Sequence, residues 1–402
     1  MFKRVYADKL ANLFRTDLYL TKSTKFKQEK KLGDSYEQPV ILSHEHGFTF
    51  GGTAGTAYAL NEAISGSTGN ARVAGYETTL KGLISRATIE RAMSNDAAFF
   101  KGTKMKVQAM LDSHAKELEW NLMYGQSATG WGTIASISGT STTRAVVISA
   151  ATWCPNRWQG MIGALIDIYE STTKRAGTVD CSIVSVDLST RTVNISGDAT
   201  ELTAVDSAIT GSDTYILRKG EYGNVAVGLD KITTTSSGNL FGLSTDNELW
   251  KASTYSCGSA NISMEKILEA VDQAFVRGCE GDVTVLLPSA SFIDLVMDEV
   301  ALRRHGVGKT VENGFEKLAF DTQSGKAKIV VGRLVKDGEG FVFPESALCR
   351  IGAYDGVKFE DAFGEVFWPV SGYNGYEMRS YSDQALFSDA PGQIVKLTSI
   401  TN

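Results

Sequence analysis

His44 and His46 lie two residues apart in a stretch where Val40, Leu42, Phe48 and Phe50 alternate with Ile41, Ser43, Glu45, Gly47 and Thr49. A strand would place both imidazoles on one face, roughly 7 Å apart. Two imidazoles can begin a metal site, but a third ligand is needed and none is identifiable from spacing. The neighbours on that face are apolar, so packed or hydrogen-bonded histidines are expected. Gly306-Val307-Gly308-Lys309-Thr310 has the end of a phosphate-binding loop, yet Arg303 stands where that loop needs its first glycine. The segment also follows a helix pattern, where such a loop follows a strand, so a glycine-rich connection is expected. Gly51-Gly52-Thr53-Ala54-Gly55 lacks dinucleotide-binding spacing and a following helix, and reads as a bend in a hairpin.

The remaining histidines, His114 and His305, fall on a helix stripe and at a helix end. The first reads as a satisfied core or interface residue, the second as favourable beside a helix C-terminus. No GxSxG, HExxH or Cys/His signature is present. The sequence therefore names no catalytic, cofactor-binding or metal-binding residue, and the chain is not expected to be an enzyme. Cys154, Cys181, Cys257, Cys279 and Cys349 are scattered, odd in number and without a CxxC pair. Buried free thiols in a reducing cytoplasm are the expectation.

The chain has 402 residues, enough for two or three domains, with 43% hydrophobic residues and only six prolines against 40 glycines. No apolar run reaches a membrane-spanning length, and the N-terminus has no signal-peptide pattern. The net charge of −6 is unevenly spread. The first 36 residues carry nine Lys/Arg and four Asp/Glu, about +5, which leaves the remainder near −11. An acidic body without a reading motif argues against nucleic-acid recognition by the whole fold, while non-specific contact through the basic arm stays open. Neither that arm nor the Gly/Ala/Ser/Thr-rich stretch 47–94 can form a core alone, because burial must outweigh ordering entropy. Both need a surface outside themselves. The sharper reading is an arm that lies on a neighbouring subunit.

The elements follow from periodicity. Residues 47–92 read as a long two-stranded hairpin with the polar tip Ser65–Asn70. Ser94 or Asn95 caps a helix over residues 96–124, with Gly102 near its start as a break in the first turn and Gly125 as its stop. Val107, Met110, Leu111, His114, Leu118 and Leu122 form its apolar stripe. Six strands follow at Thr133–Ser138, Arg144–Ser149, Leu165–Ser171, Val179–Asp187, Thr192–Ser196 and Thr214–Leu217. They suggest a small β-barrel or sandwich with Trp153, Trp158, Val184, Val186, Val193 and Ile195 inside. Residues 220–253 read as a β-rich return. Helix Met264–Arg277, strand Val283–Leu287 and helix Ala290–Arg304 form an α/β layer. Short strands, a long alternating strand Tyr376–Phe387 and a last strand Pro391–Ile400 complete an α+β chain.

This order of elements resembles that of tailed-phage major capsid proteins with the Hong Kong 97-type fold. Four stretches carry the likeness: Gly47–Ser94, Ala109–Gly125 (AMLDSHAKELEWNLMYG), Ser263–Arg304 and Gly375–Ile400. The resemblance implies an N-terminal arm at 1–46, an extended loop at 47–93 and a spine helix at 94–129. It implies a peripheral-domain return at 220–255, an axial domain at 256–355, peripheral long strands at 356–387 and a C-terminal strand at 388–402. Residues 130–219 look like an inserted β-domain that the minimal fold lacks.

As function, the resemblance implies self-assembly into hexamers and pentamers of an icosahedral head around double-stranded DNA. It implies no cofactor, assembly in the bacterial cytoplasm and residence in the virion. Its partners would be the chain itself, a separate scaffolding protein and a portal protein, with a cement or decoration protein as a further candidate and no membrane. Loop contacts to neighbours would come from Phe48, Phe50, Tyr76 and Leu80, and arm contacts from Lys22, Lys25, Lys27, Lys30 and Lys31. Some relatives join a loop Lys to an Asn of another subunit; Lys81 and Asn374 are the residues in those places, with no supporting acid evident nearby. The alternative is a soluble multidomain protein whose β-domain 130–219 binds carbohydrate or a host or partner protein.

Overall fold

The computed structural model describes residues 18–27, 35–52, 54–55, 57–86, 96–139, 142–208, 214–297, 311–312, 315–316, 319–322, 325–359, 368–370, 372 and 374–401, with backbone alone over 96–105 and 311–321. Lys30, Lys31, Ser94, Asn95, His305 and the Gly306–Thr310 segment lie outside the described residues. Three six-stranded sheets and one long helix organise the chain.

The α/β layer forms as its periodicity requires. Ser263 accepts a hydrogen bond from the Lys266 N–H and caps helix Met264–Val276, whose Met264, Ile267, Ala270, Val271 and Ala274 are buried. Strand Val283–Leu287 is buried along its length and pairs parallel to Lys326–Val331 and antiparallel to Gly340–Phe343. The sheet runs in the order Ser253–Ala260, Val395–Ile400, Gly340–Phe343, Val283–Leu287, Lys326–Val331, Ala319–Asp321. It has a core of its own around Ile267, Val285, Leu287, Val342 and Leu397. The second helix of this layer is described over Ser289–Met297.

A second sheet is built on strand Gly375–Ser388. Leu348–Gly352 lies on one side of it, with Lys25–Lys27 beyond in parallel. On the other side runs Tyr76–Ser85, from Gly375 opposite Ser85 to Gln384 opposite Tyr76. This overturns the expected hairpin over residues 47–92. The paired ladder of the hairpin is instead Tyr36–Ile41 with Thr68–Val73, Tyr36 opposite Val73 and Ile41 opposite Thr68. The return limb Tyr76–Ser85 leaves its hairpin partner and joins a long body strand. Two isolated strands are marginal in water, and the longer apolar-alternating limb gains more from a larger sheet.

The long helix Asp96–Tyr124 continues through Gly102 without the expected break. It crosses the second sheet at its middle, where Gly82 faces Met110: a Cβ at Gly82 would stand 2.4 Å from the Met110 Sδ. Gly125 ends the helix as expected, but for a different reason. The left-handed residue is Gln126, with φ 56°. Gly125 is needed because the Ala226 carbonyl oxygen would lie 2.2 Å from any Cβ there.

The third sheet is antiparallel, ordered Thr214–Arg218, Leu165–Glu170, Thr173–Asp187, Thr192–Ser196, Thr143–Ile148, Ile134–Ser138. Its two edges meet through the Trp131 N–H to the Ile216 carbonyl and a bridge between Thr133 and Tyr215. Trp153, Trp158, Val193 and Ile195 are buried inside, as expected. Val186 is half-buried, and Val184 is 49% exposed. The strand register slips between Ile183 and Ser185, so Val184 is the extra residue of a bulge and turns outward. A helix, Ala199–Ala208, went unrecognised in the sequence. The segment after this sheet is not β-rich: it holds helix Leu229–Thr234 and two two-residue strands, Asn239–Leu240 and Leu243–Ser244.

Candidate functional site

Residues 42–67 leave the body as a projection. Its limbs are tied by Leu42 and Ser43 N–H groups to the Ser67 carbonyl, and by the His46 N–H to the Ile64 carbonyl at 3.0 Å. Farther out, Asn61 donates from its backbone N–H to Thr49 Oγ1 and from Nδ2 to the Phe48 carbonyl, at 2.8 and 2.9 Å. Limbs of this length reach at most roughly 40 Å.

The base is fixed. The Arg72 N–H donates to the Phe241 carbonyl, Asn247 Nδ2 donates to the Leu42 carbonyl, and Tyr36 meets the edge of Phe387 at 5.9 Å. Ala71 and Val73 are buried in the main core.

The projection carries Phe48, Phe50, Tyr58, Leu60 and Ile64 in solvent, with Phe50 91% exposed and Leu60 81%, and Ile41 is exposed at its foot. These six are a third of all the large hydrophobic residues exposed among the described residues. Singly exposed apolar side chains are ordinary, but this concentration on one slender element marks a contact surface. His44 and His46 are exposed here and not packed as expected. Among the described residues no group of His, Cys, Asp or Glu has metal-binding geometry.

The expected contact residues do not all gather on this element. Phe48 and Phe50 are on it. Tyr76 and Leu80 are half-buried in the second sheet, Leu80 opposite Ser380. Lys81 Nζ contacts Glu377 Oε2 at 2.5 Å, an acid missed in the sequence because only the strand register brings it there. Asn374 takes the Arg86 N–H at the far end of the same strand pair. Sequence reasoning also missed Tyr58, Leu60 and Ile64. Their only signal was a short apolar run in a Gly/Ala-rich stretch.

The described part of the basic arm lies on the chain's own body. Glu119, on the long helix, accepts the Leu20 N–H at 2.6 Å, the Thr21 N–H at 2.9 Å and the Thr21 hydroxyl. Leu20 is fully buried, and Tyr19 donates to Glu345 Oε1. Arg350 continues the clasp by donating to Thr24 Oγ1 and to Gln384 Oε1. Lys22 and Lys25 point to solvent, and Lys27 is half-buried.

Buried ion networks lock the body beneath. Glu117 pairs with Arg157 through both oxygens, at 2.8 and 2.9 Å, and with Arg218 at 2.8 Å. Burial alone would raise its pKa, but the two guanidinium groups hold it well below the carboxylate range. Arg157 stacks 3.7 Å over the Trp131 ring. Lys396 bridges Asp230 and Glu339, whose charges outweigh the burial that would discharge it. All five cysteines are free and buried, and burial pushes their thiol pKa values up. Among the described residues, no helix is long and apolar enough to cross a membrane. The arrangement, among the described residues, is a body with buried ion networks that presents an apolar projection.

No family model matches the chain, and no curated protein matches it in sequence. Solved structures do. The chain is similar over 100% of its length to a protein of the cyanophage A-1(L) capsid asymmetric unit, with a TM-score of 0.58, 10% identity and 98% of that chain covered. It is similar over 100% of its length to a protein of the capsid of a native GTA particle, with a TM-score of 0.51, 8% identity and 96% of that chain covered. The fold of this chain is that of these capsid proteins.

Proposed function

We propose that this chain is the repeating structural subunit of a virion shell, a tailed-phage major capsid protein of the Hong Kong 97 type. On this reading it builds hexamers and pentamers of an icosahedral head that encloses double-stranded DNA, and it catalyses nothing. The observation that carries the proposal is the projection: five large apolar side chains held in solvent on an element bolted to the body at its base. The capsid-protein fold, matched along the whole chain, supports it.

The extended loop is then the projection at residues 42–67, while the spine helix lies within 94–129, the axial domain within 256–355 and peripheral strands within 356–387. Residues 130–219 form an inserted β-domain. The loop delivers Phe48 and Phe50, joined by Tyr58 and Leu60, onto a second copy of this chain, and the arm lysines meet the acidic surface of a neighbour. Obligate interfaces of this kind bury roughly 2,000–5,000 Å² in total. Spread over many weak contacts, that area permits correction during growth and strength after closure. A separate scaffolding protein, a portal protein and non-specific contact with packaged DNA belong to the same reading, as does assembly in the host cytoplasm.

The test is negative-stain microscopy of the full chain, expressed alone and with its candidate scaffolding protein. Shells, tubes or capsomer rings are expected. Uniform monomers under both conditions would contradict the proposal.

A further inference from the structure

We propose that the cavity between the third sheet and the exit of the long helix binds a single pyranose sugar residue. None of its lining residues belongs to the projection, so the inference stands apart from the shell reading. The cavity holds about 480 Å³, within the span of small-molecule sites. Its floor includes the buried Ser127, Tyr215 and Glu221, and its rim the exposed Ser171, Thr172 and Tyr222.

The rim has a preset aromatic platform. Tyr169 stacks on Tyr222 with ring centroids 4.4 Å apart and planes 13° apart, and on Tyr215 at 6.3 Å and 20°. The stack is anchored by the Tyr215 hydroxyl, which donates to the Ser171 carbonyl at 2.7 Å. Tyr222, its outer ring, is 40% exposed at the cavity. A rigid ring with an apolar face and a polar edge suits the C–H face of a sugar.

Hydrogen-bonding capacity is left over around it. Glu221 Oε2 is taken by Trp131 Nε1 and the Arg218 N–H, while Oε1 takes no hydrogen bond among the described residues. Burial, reinforced by the Glu117 charge and opposed by Arg157 and Arg218, pushes this carboxyl up to about 7. At neutral pH it both donates to and accepts from hydroxyl groups. Lys231 lines the cavity without an ion pair among the described residues. Gln126 is fixed by donating to the Val225 carbonyl at 2.7 Å, which leaves its side-chain oxygen unbonded among the described residues. Gln126 and Ser171, both lining the cavity, hold left-handed backbone, with φ of 56° and 53°, a strain that clusters at binding sites.

The chemistry selects the ligand class. Among the described residues, the only charges on the wall are one ammonium, Lys231, and a carboxyl that is half ionised near neutral pH, too little for a polyanion such as a phosphate ester. The apolar lining, chiefly Tyr215, Leu217 and Val225, is too small for a lipid chain. A neutral ring with hydroxyl groups matches what remains.

The experiment is calorimetric titration of the full, unassembled chain with glucose, galactose, mannose and N-acetylglucosamine, each up to ~10 mM. At least one should bind. Tyr222→Ala should weaken that sugar at least ~tenfold and Tyr222→Phe no more than ~twofold, because the ring supplies the platform. Lys231→Ala, at a half-exposed position, serves as a second variant should Tyr222→Ala melt early. Tighter binding to an immobilised glycan ending in the same sugar would identify a glycan as the source; equal binding would identify the free sugar. Absence of binding by all four sugars, or unchanged binding in both Tyr222→Ala and Lys231→Ala, would overturn the proposal.

Discussion

Asn61 Nδ2 donates to the Phe48 carbonyl at 2.9 Å, so the outgoing limb of the projection is tied to the returning limb beside its exposed aromatic residues. The bond sets the geometry of Phe48 and Phe50 before any partner arrives, and preorganisation lowers the entropic cost of docking. Asn61→Ala should leave the melting temperature unchanged, since an exposed substitution away from the core stays within about 0.5 kcal/mol. It should slow assembly followed by light scattering. A lowered melting temperature with normal assembly would show that the tie serves the body instead.

Glu119 holds the start of the described chain by three hydrogen bonds to Leu20 and Thr21. Hydrogen bonds to a buried charge are among the stronger ones, and their loss strands two backbone N–H groups. Glu119→Ala should cost about 2–3 kcal/mol. It should speed hydrogen exchange at Leu20 and Thr21 while the core of the α/β layer around Val285 stays protected. Unchanged exchange at those two amides would refute the clasp.

Gly82 is one of the points where the second sheet touches the long helix. Gly82→Val should cost about 1–3 kcal/mol by pushing against Met110. Met110→Ala opens room at the same place, so the double variant should be more stable than the two single costs predict, by about 1 kcal/mol. Urea denaturation of the four proteins measures this. Strict additivity would mean that the helix and strand do not meet there.

Much of this body is legible in the sequence, because its elements follow local rules. The strands Leu165–Glu170 and Thr192–Ser196, the helix ending at Tyr124 and the fully apolar strand Val283–Leu287 fall where periodicity puts them. What failed is pairing. Nothing in Tyr76–Ser85 says that it abandons its hairpin for Gly375–Ser388, because partner choice is decided by burial across nearly 300 residues of sequence. The bulge at Val184 and the left-handed Gln126 are likewise set by tertiary neighbours. Of the expected contact residues, Phe48 and Phe50 were readable as aromatics on a stretch unable to bury them. Tyr76 and Leu80 sit half-buried in the second sheet, a placement that only the long-range pairing decides.

His114 should govern part of the acid response. Its ring nitrogens meet Ser380 at 2.9 Å and Ser382 at 3.0 Å, and burial lowers its pKa to about 4, with Glu117 acting in the opposite sense. An unfolded imidazole titrates near about 6.5. The unfolded chain therefore binds more protons between these values. Stability from this residue is complete above about 6.5 and is lost as pH falls toward about 4, by up to about 3 kcal/mol. Asp337 and Glu221, raised to about 6 and about 7, tilt the curve the other way, so the comparison must be with a variant. His114→Gln should flatten the fall in stability across that window in urea denaturation. An identical pH slope in both proteins would contradict the assignment.

The central claim is that this chain assembles through its projection. Sedimentation velocity of the full chain beside its Phe48→Ser/Phe50→Ser/Leu60→Ser variant, under conditions that support assembly, tests it most directly. The wild-type chain should sediment as capsomers or shells, and the variant as a monomer with the same melting temperature. Equal assembly of the two proteins, or a wild-type chain that stays monomeric, would contradict the account.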